Sequence, residues 1–369
     1  MAQEYTCADF EGLSGPTQNV LVSIGNFIRT FASSVVHYEY YVAWIGAIVN
    51  VLHLYILSRK SIRCNSINIF LMGTGICDMF CLCLFIHAYT LTLIFPDDRC
   101  WNYHSYINVF IEVWVSSLND VLRRASAWLS VMMALTRFLI MKNSLNPKYQ
   151  FLSKPKFALI SMFLAFWVSL LVSVFYLIRV TITEVEPWTP ADYCADYLAT
   201  YSEKQYSSSV TKYFEANIVA AVQIFLVMDG LSKTIPAAIL PTLTVLLIRE
   251  LKVASDSKRK ISVAMRKGNE NSKTDHTTKM VILMTICFMS AEGPMGICTV
   301  VQGFVVEKSG YLGITFDLVV IFGLFVTINA ISHCLICLAV STQYRKCAKK
   351  VFCWDRCTAR KKFPTLGTF

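Results

Sequence analysis

Apolar residues in this chain gather into seven long blocks separated by short polar stretches. The blocks run over approximately 35–57, 67–95, 105–141, 157–180, 216–249, 279–306 and 311–340. Each reaches the roughly 20 residues a helix needs to cross a bilayer. In lipid a spanning segment must satisfy its own backbone hydrogen bonds, so the blocks predict helices rather than open strands. The expected fold is an all-α membrane protein, a seven-transmembrane helix bundle. Behind the last block, STQYRKCAKKVFCWDRC sets Arg345, Lys346, Lys349 and Lys350 among Tyr344, Val351 and Phe352. That pattern predicts a short amphipathic helix on the inner membrane face. The chain divides into an outer amino segment (1–34), a membrane domain (35–340) and an inner tail (341–369).

Composition sharpens the picture. Apolar types make up 55% of the 369 residues and charged types 16%, against roughly 45–50% and 25% in soluble proteins. The start, MAQEYTCADFEG, lacks a charged opening followed by an apolar core, so the first block is expected to act as its own insertion signal. The net charge of +10 falls beside the blocks. With the amino end outside, the inner side receives Arg59, Lys60, Arg63, Lys142, Lys148, Lys154, Lys156, the run from Arg249 to Lys279 and the tail. The outer side receives few cations: Arg29, Arg99, Lys204, Lys212 and Lys308. This is the positive-inside asymmetry, and it argues for a plasma-membrane topology and against a nucleic-acid binder.

Most of the 14 cysteines lie within blocks, where a thiol behaves as a small apolar group. Cys100 and Cys194 fall in outer loops and are expected to pair in an oxidising exterior, leaving Cys7 over. Cys353 and Cys357, with Cys347, are candidates for acylation in the tail; unmodified thiols are the alternative. There is no phosphate-cradling glycine loop, metal-ligand spacing or nucleophile elbow, so the residues suggest no enzyme, cofactor or metal. The lack of a visible internal repeat argues against a transporter.

Ionisable groups inside a span usually mark function. The chain has Asp78 in block two, Asp120, Arg123 and Arg124 in block three, Asp229 and Lys233 in block five, Glu292 in block six, and Asp317 and His333 in block seven. Asp120 and Arg124 are four apart, as are Asp229 and Lys233, so each pair can meet on one helix face. Internal neutralisation competes with ligand binding as the explanation. For the cluster in block three the reading is a water-filled pocket, with Glu292 expected to partner Arg124. A break in block six, FMSAEGPMGI (288–297), places Pro294 and two glycines where a helix can bend.

The order of these features resembles the rhodopsin-like G-protein-coupled receptors. Asn50 in AIVNVL, Asp78, Arg137 in MALTRF, Trp167, Pro236 (or Pro241), Phe288 with Pro294, and Tyr344-Arg345 stand at that family's marker positions. Departures are Thr136 for the acidic neighbour of Arg137, Glu292 for a tryptophan, and His333, Cys334 and Cys337 in the last span. RRASAWLSVMMALTRF, AEGPMGI and NAISHCLICLAVSTQYR look like the nematode serpentine receptors of class W, relatives of FMRFamide and myosuppressin peptide receptors. The resemblance implies a peptide or chemosensory receptor that signals through a heterotrimeric G protein. It implies a ligand site among Asp120, Arg123, Arg124, Asp229, Glu292 and Asp317. Asp78, Ser126, Arg137, Phe288, Pro294, Asn329 and His333 would form the activation switch, and Arg137 and Tyr344 would meet the G protein. Asp78, Ser126 and Asn329 match a central sodium site, in which His333 replaces a neutral member. The ligand expected first is a short peptide ending in Arg-Phe-amide, drawn by acidic outer loops; a small chemosensory molecule is the alternative.

Overall fold

The computed structural model describes residues 4–94, 100–143, 146–190, 193–194, 200–262 and 272–352. Seven of its helices are long and apolar enough to cross a membrane. They are α1 (Gly15–Leu57), α2 (Ser66–Ile94), α3 (Tyr106–Lys142), α4 (Pro155–Arg179), α5 (Ile218–Ser262), α6 (Ser272–Phe304) and α7 (Ser309–Val340), followed by the tail helix α8 (Thr342–Phe352). The expected seven-helix bundle is therefore present, and α3 is its axle, touching α2, α4, α5 and α6. Its most apolar stretch is also the most buried of the seven, whereas α4 turns mostly outward.

Two features differ from the expectation. The outer stretch between α4 and α5 is not purely loop: β1 (Val180–Trp188) and β2 (Glu203–Val210) form an antiparallel hairpin. The run of β-branched residues Val180–Thr183, with Val185, supplies the pleated surface a strand prefers. The hairpin is fastened to the start of α3, where Tyr206 donates its backbone N–H to the His104 carbonyl at 2.9 Å. A Cys100–Cys194 disulfide adds a covalent tie to the same region. Second, α1 begins at Gly15, well inside the segment read as an outer extension. Pro16 sits in its first turn, where a missing N–H does no harm.

The seam between α1 and α7 is crossed by polar contacts along its length. Arg29 Nε meets Asp317 at 3.2 Å, and Thr327 donates to Glu39 at 2.8 Å. Asn50 donates to the Ala330 carbonyl at 3.4 Å. Beyond the inner end of α7, His53 Nδ1 lies 2.8 Å from the Tyr344 hydroxyl of α8.

Candidate functional site

Adjacent residues on a helix point about 100° apart, and this decides the fate of the two arginines of α3. Arg124 faces α4 and α5. It pairs with Asp229 and donates to the Ser173 hydroxyl. Lys233 Nζ lies 2.6 Å from the other Asp229 oxygen and 3.9 Å from Asp120. Arg124, Asp229 and Lys233 are buried to 5% exposure or less. The four charges cancel. The expected Arg124–Glu292 pair is thus not formed, nor is an Asp120–Arg124 pair. Asp229 and Lys233 do meet across one helical turn. Asp120, Arg124 and Asp229 all belong to this quartet.

Arg123 faces the other way, toward α6 and α7. Its guanidinium donates to the Met295 sulfur at 3.0 Å, and it lines a cavity together with Glu39, Asp78, Ser126, Glu292 and Asn329. Phe288, 3% exposed, contributes to the apolar wall. The space open to water centres is about 30 Å³, room for about two waters. Glu292 is buried, and its Oε2 has no hydrogen-bond partner among the described residues. Glu39, 4% exposed, holds its place through Thr327. Sequence reasoning passed over Glu39, although a lone carboxylate in the first apolar block, HYEYYVAW, was the signal for it. Pro294 lies two residues from Glu292 within the unbroken α6.

Deeper, between α2, α3 and α7, Ser126 donates to Asp78 Oδ1 at 3.2 Å and His333 Nδ1 stands 3.3 Å from Asp78 Oδ2. Asn329 is buried beside them. An imidazole therefore occupies the approach to one carboxylate oxygen that a sodium ion would need. We expect agonist affinity to be the same, within about twofold, in sodium and in choline medium. A sodium-specific drop of tenfold or more would sink this reading.

Toward the C-terminal end of α3, Arg137 is buried at 8% exposure beside Thr136 at 1%. Tyr344 is 2% exposed, with its hydroxyl held between His53 and Cys334. In this form it packs into the bundle and does not offer the surface a G-protein contact needs. Asp317 is on the N-terminal part of α7, engaged by Arg29 and by Tyr5, whose hydroxyl donates to it at 2.7 Å. It lies on α7 nine residues before Val326, the first α7 residue lining the cavity, about 14 Å along the helix. Cys353 and Cys357 lie outside the described residues.

A family model described as "Serpentine type 7TM GPCR chemoreceptor Srw" matches residues 37–355. Among curated proteins no match to the chain is found. The family match begins inside α1, takes in the other six membrane helices and runs past α8: the chain belongs to the serpentine 7TM GPCR chemoreceptor family Srw, a family of multi-pass membrane receptors of the G-protein-coupled type.

Proposed function

We propose that the protein sits in the plasma membrane with its amino end outside, binds a cationic ligand from that side, and activates a heterotrimeric G protein by outward movement of α6. The observation that carries this is a surplus of carboxyl groups over cationic groups at the cavity. With the α3–α5 quartet neutral in itself, the carboxyl groups of Glu39, Asp78 and Glu292 line the cavity with a single guanidinium, that of Arg123. A ligand bringing one positive group reduces that surplus. Glu292 stands two residues from Pro294, so a new partner there acts on the hinged helix itself. A ligand shifts a conformational equilibrium only by binding one form better, and this is where such a difference would arise.

Our first reading of the ligand is a short amidated peptide ending in Arg-Phe-amide, whose guanidinium suits a carboxylate partner. The small volume of the cavity favours a second reading, a small cationic molecule that needs less rearrangement to enter. A library of short amidated peptides and a panel of small amines, screened on cells with a G-protein readout, separates the two. Glu292→Gln is expected to lower agonist potency about tenfold or more, the loss of one charge-assisted hydrogen bond, at unchanged surface level. Full potency in Glu292→Gln and Glu39→Gln alike would sink the site.

A further inference from the structure

The first described residues are held far more closely than an ordinary chain end, which stays poorly ordered unless tied down. At 1.5 Å per residue the 43 residues of α1 reach about 65 Å, twice the roughly 30 Å of a bilayer's hydrocarbon core. Its first half therefore projects beyond the core, alongside the start of α7. Residues 5–10 lie in the notch between those two projecting ends.

Each part of that segment is read by a separate feature. Asn26 of α1 treats the backbone of Tyr5 as a strand would. Its Oδ1 accepts from the Tyr5 N–H at 2.7 Å, and its Nδ2 donates to the Tyr5 carbonyl at 3.3 Å. The Tyr5 ring, 5% exposed, lies under the Arg29 guanidinium at 3.7 Å, and its hydroxyl reaches Asp317. Burial, and then the bond to Asp317, raise the phenol's pKa above its ordinary value. Phe10 is 1% exposed and stands edge-on to Tyr311 at 5.6 Å, while Gln18 donates to its carbonyl at 3.2 Å. Between the two rings the chain makes a 3-10 turn fixed by Asp9. The Asp9 carboxylate accepts from the Thr6 N–H at 2.9 Å, a bond that lowers its pKa.

The notch is also cut to fit. A Cβ on Gly25 or Gly313 would come within 2.8 or 2.7 Å of the Tyr5 side chain, and one on Gly310 within 2.5 Å of the Asp9 carbonyl. A pair of backbone hydrogen bonds, a phenol-specific carboxylate, a cation over a ring and a second aromatic contact are the elements by which a surface recognises an extended peptide.

We propose that the outer ends of α1 and α7 form a peptide-binding groove, specific for a tyrosine followed five residues later by a second aromatic, and that the chain's own residues 5–10 are its resident occupant. The tether gives that occupant an effective concentration in the millimolar range, so the intrinsic affinity need only be modest. While it is seated, Tyr5 covers the Arg29–Asp317 pair; when it leaves, that pair faces an outside partner.

The test uses detergent-solubilised receptor, so that access does not depend on which side of the membrane the groove faces, nor on any agonist. A fluorescent synthetic peptide of residues 4–12, with Cys7→Ser, is titrated by polarisation against the intact receptor, a variant lacking residues 4–12, and a full-length Tyr5→Ala/Phe10→Ala variant. We expect saturable binding to the two variants and at least tenfold weaker binding to the intact receptor, whose groove is filled. The same peptide with Tyr5→Phe should bind the variants about tenfold more weakly, having lost one hydrogen bond to a carboxylate. Asp317→Asn, made on the variant lacking residues 4–12, should remove most of that difference. Equal binding to all three receptors, or no binding to either variant, overturns the proposal. So does failure of both variants to fold, because the segment would then be structural. Failure of the ligand screen above leaves this outcome unaffected.

Discussion

Receptor carrying Asp229→Ala is expected to reach the cell surface at a small fraction of the normal level and to unfold at a clearly lower temperature in detergent. The substitution removes the carboxylate that both Arg124 and Lys233 share. Arg124 would be left 1% exposed with only serine oxygens on α4 as partners. Lys233 would retain Asp120 at 3.9 Å. An uncompensated buried charge costs about 3–5 kcal/mol, a large part of the roughly 5–15 kcal/mol that holds a folded protein. Asp229→Asn should fall between, since it keeps the volume and one acceptor. Asp120→Asn should be mild, because that side chain is 32% exposed and its contact is long. The graded order, Ala worse than Asn at 229 and both worse than Asn at 120, is the signature sought. Normal surface expression of Asp229→Ala would mean that the quartet does not support the bundle.

The second large effect concerns signalling rather than folding. Arg137→Ala should leave surface expression and agonist binding within about twofold of normal while G-protein activation falls to background. Arg137 is close to the C-terminal end of α3, which finishes at Lys142. It is buried in this form, as a group held in reserve for an activated state would be. Its neighbour in sequence is Thr136 rather than a carboxylate. Agonist binding and activation should be measured on the same cells. Full activation by Arg137→Ala would remove this residue from the switch.

The seven membrane helices were legible because lipid imposes one simple demand, a long apolar run with an internally bonded backbone. The outer half of α1 was not. Its first turns, GPTQNVLVSIGNFIRTF, mix polar and apolar residues and exceed what a bilayer requires, so their helicity depends on contacts with α7 and the amino segment. The hairpin was missed for a related reason: an acidic, tyrosine-rich loop carries no strong period, and the β-branched run of β1 covers only a few residues. Within the site, spacing along one helix was readable and spacing between helices was not. Asp229 and Lys233 meet one turn apart on α5, as their positions suggest. The partner of Arg124 depends on how α3 is rotated against α4, α5 and α6, which no single helix encodes. Glu39 was readable in principle, as a carboxylate within a spanning block.

The polar contacts that link α1 to α7 and α8 have a mechanical consequence. From Arg29 to His53 they run over 24 residues of α1, about 36 Å at the helical rise, so the helices are cross-braced like a single beam. A beam cannot bend at one end without moving at the other. Bilayer thickness sets the tilt of membrane helices, and a tilt imposed on α1 would be carried through these braces to Thr327 and Ala330, two residues that line the cavity. Seen this way, the lipid is not only the solvent of this receptor but also a force applied to its pocket.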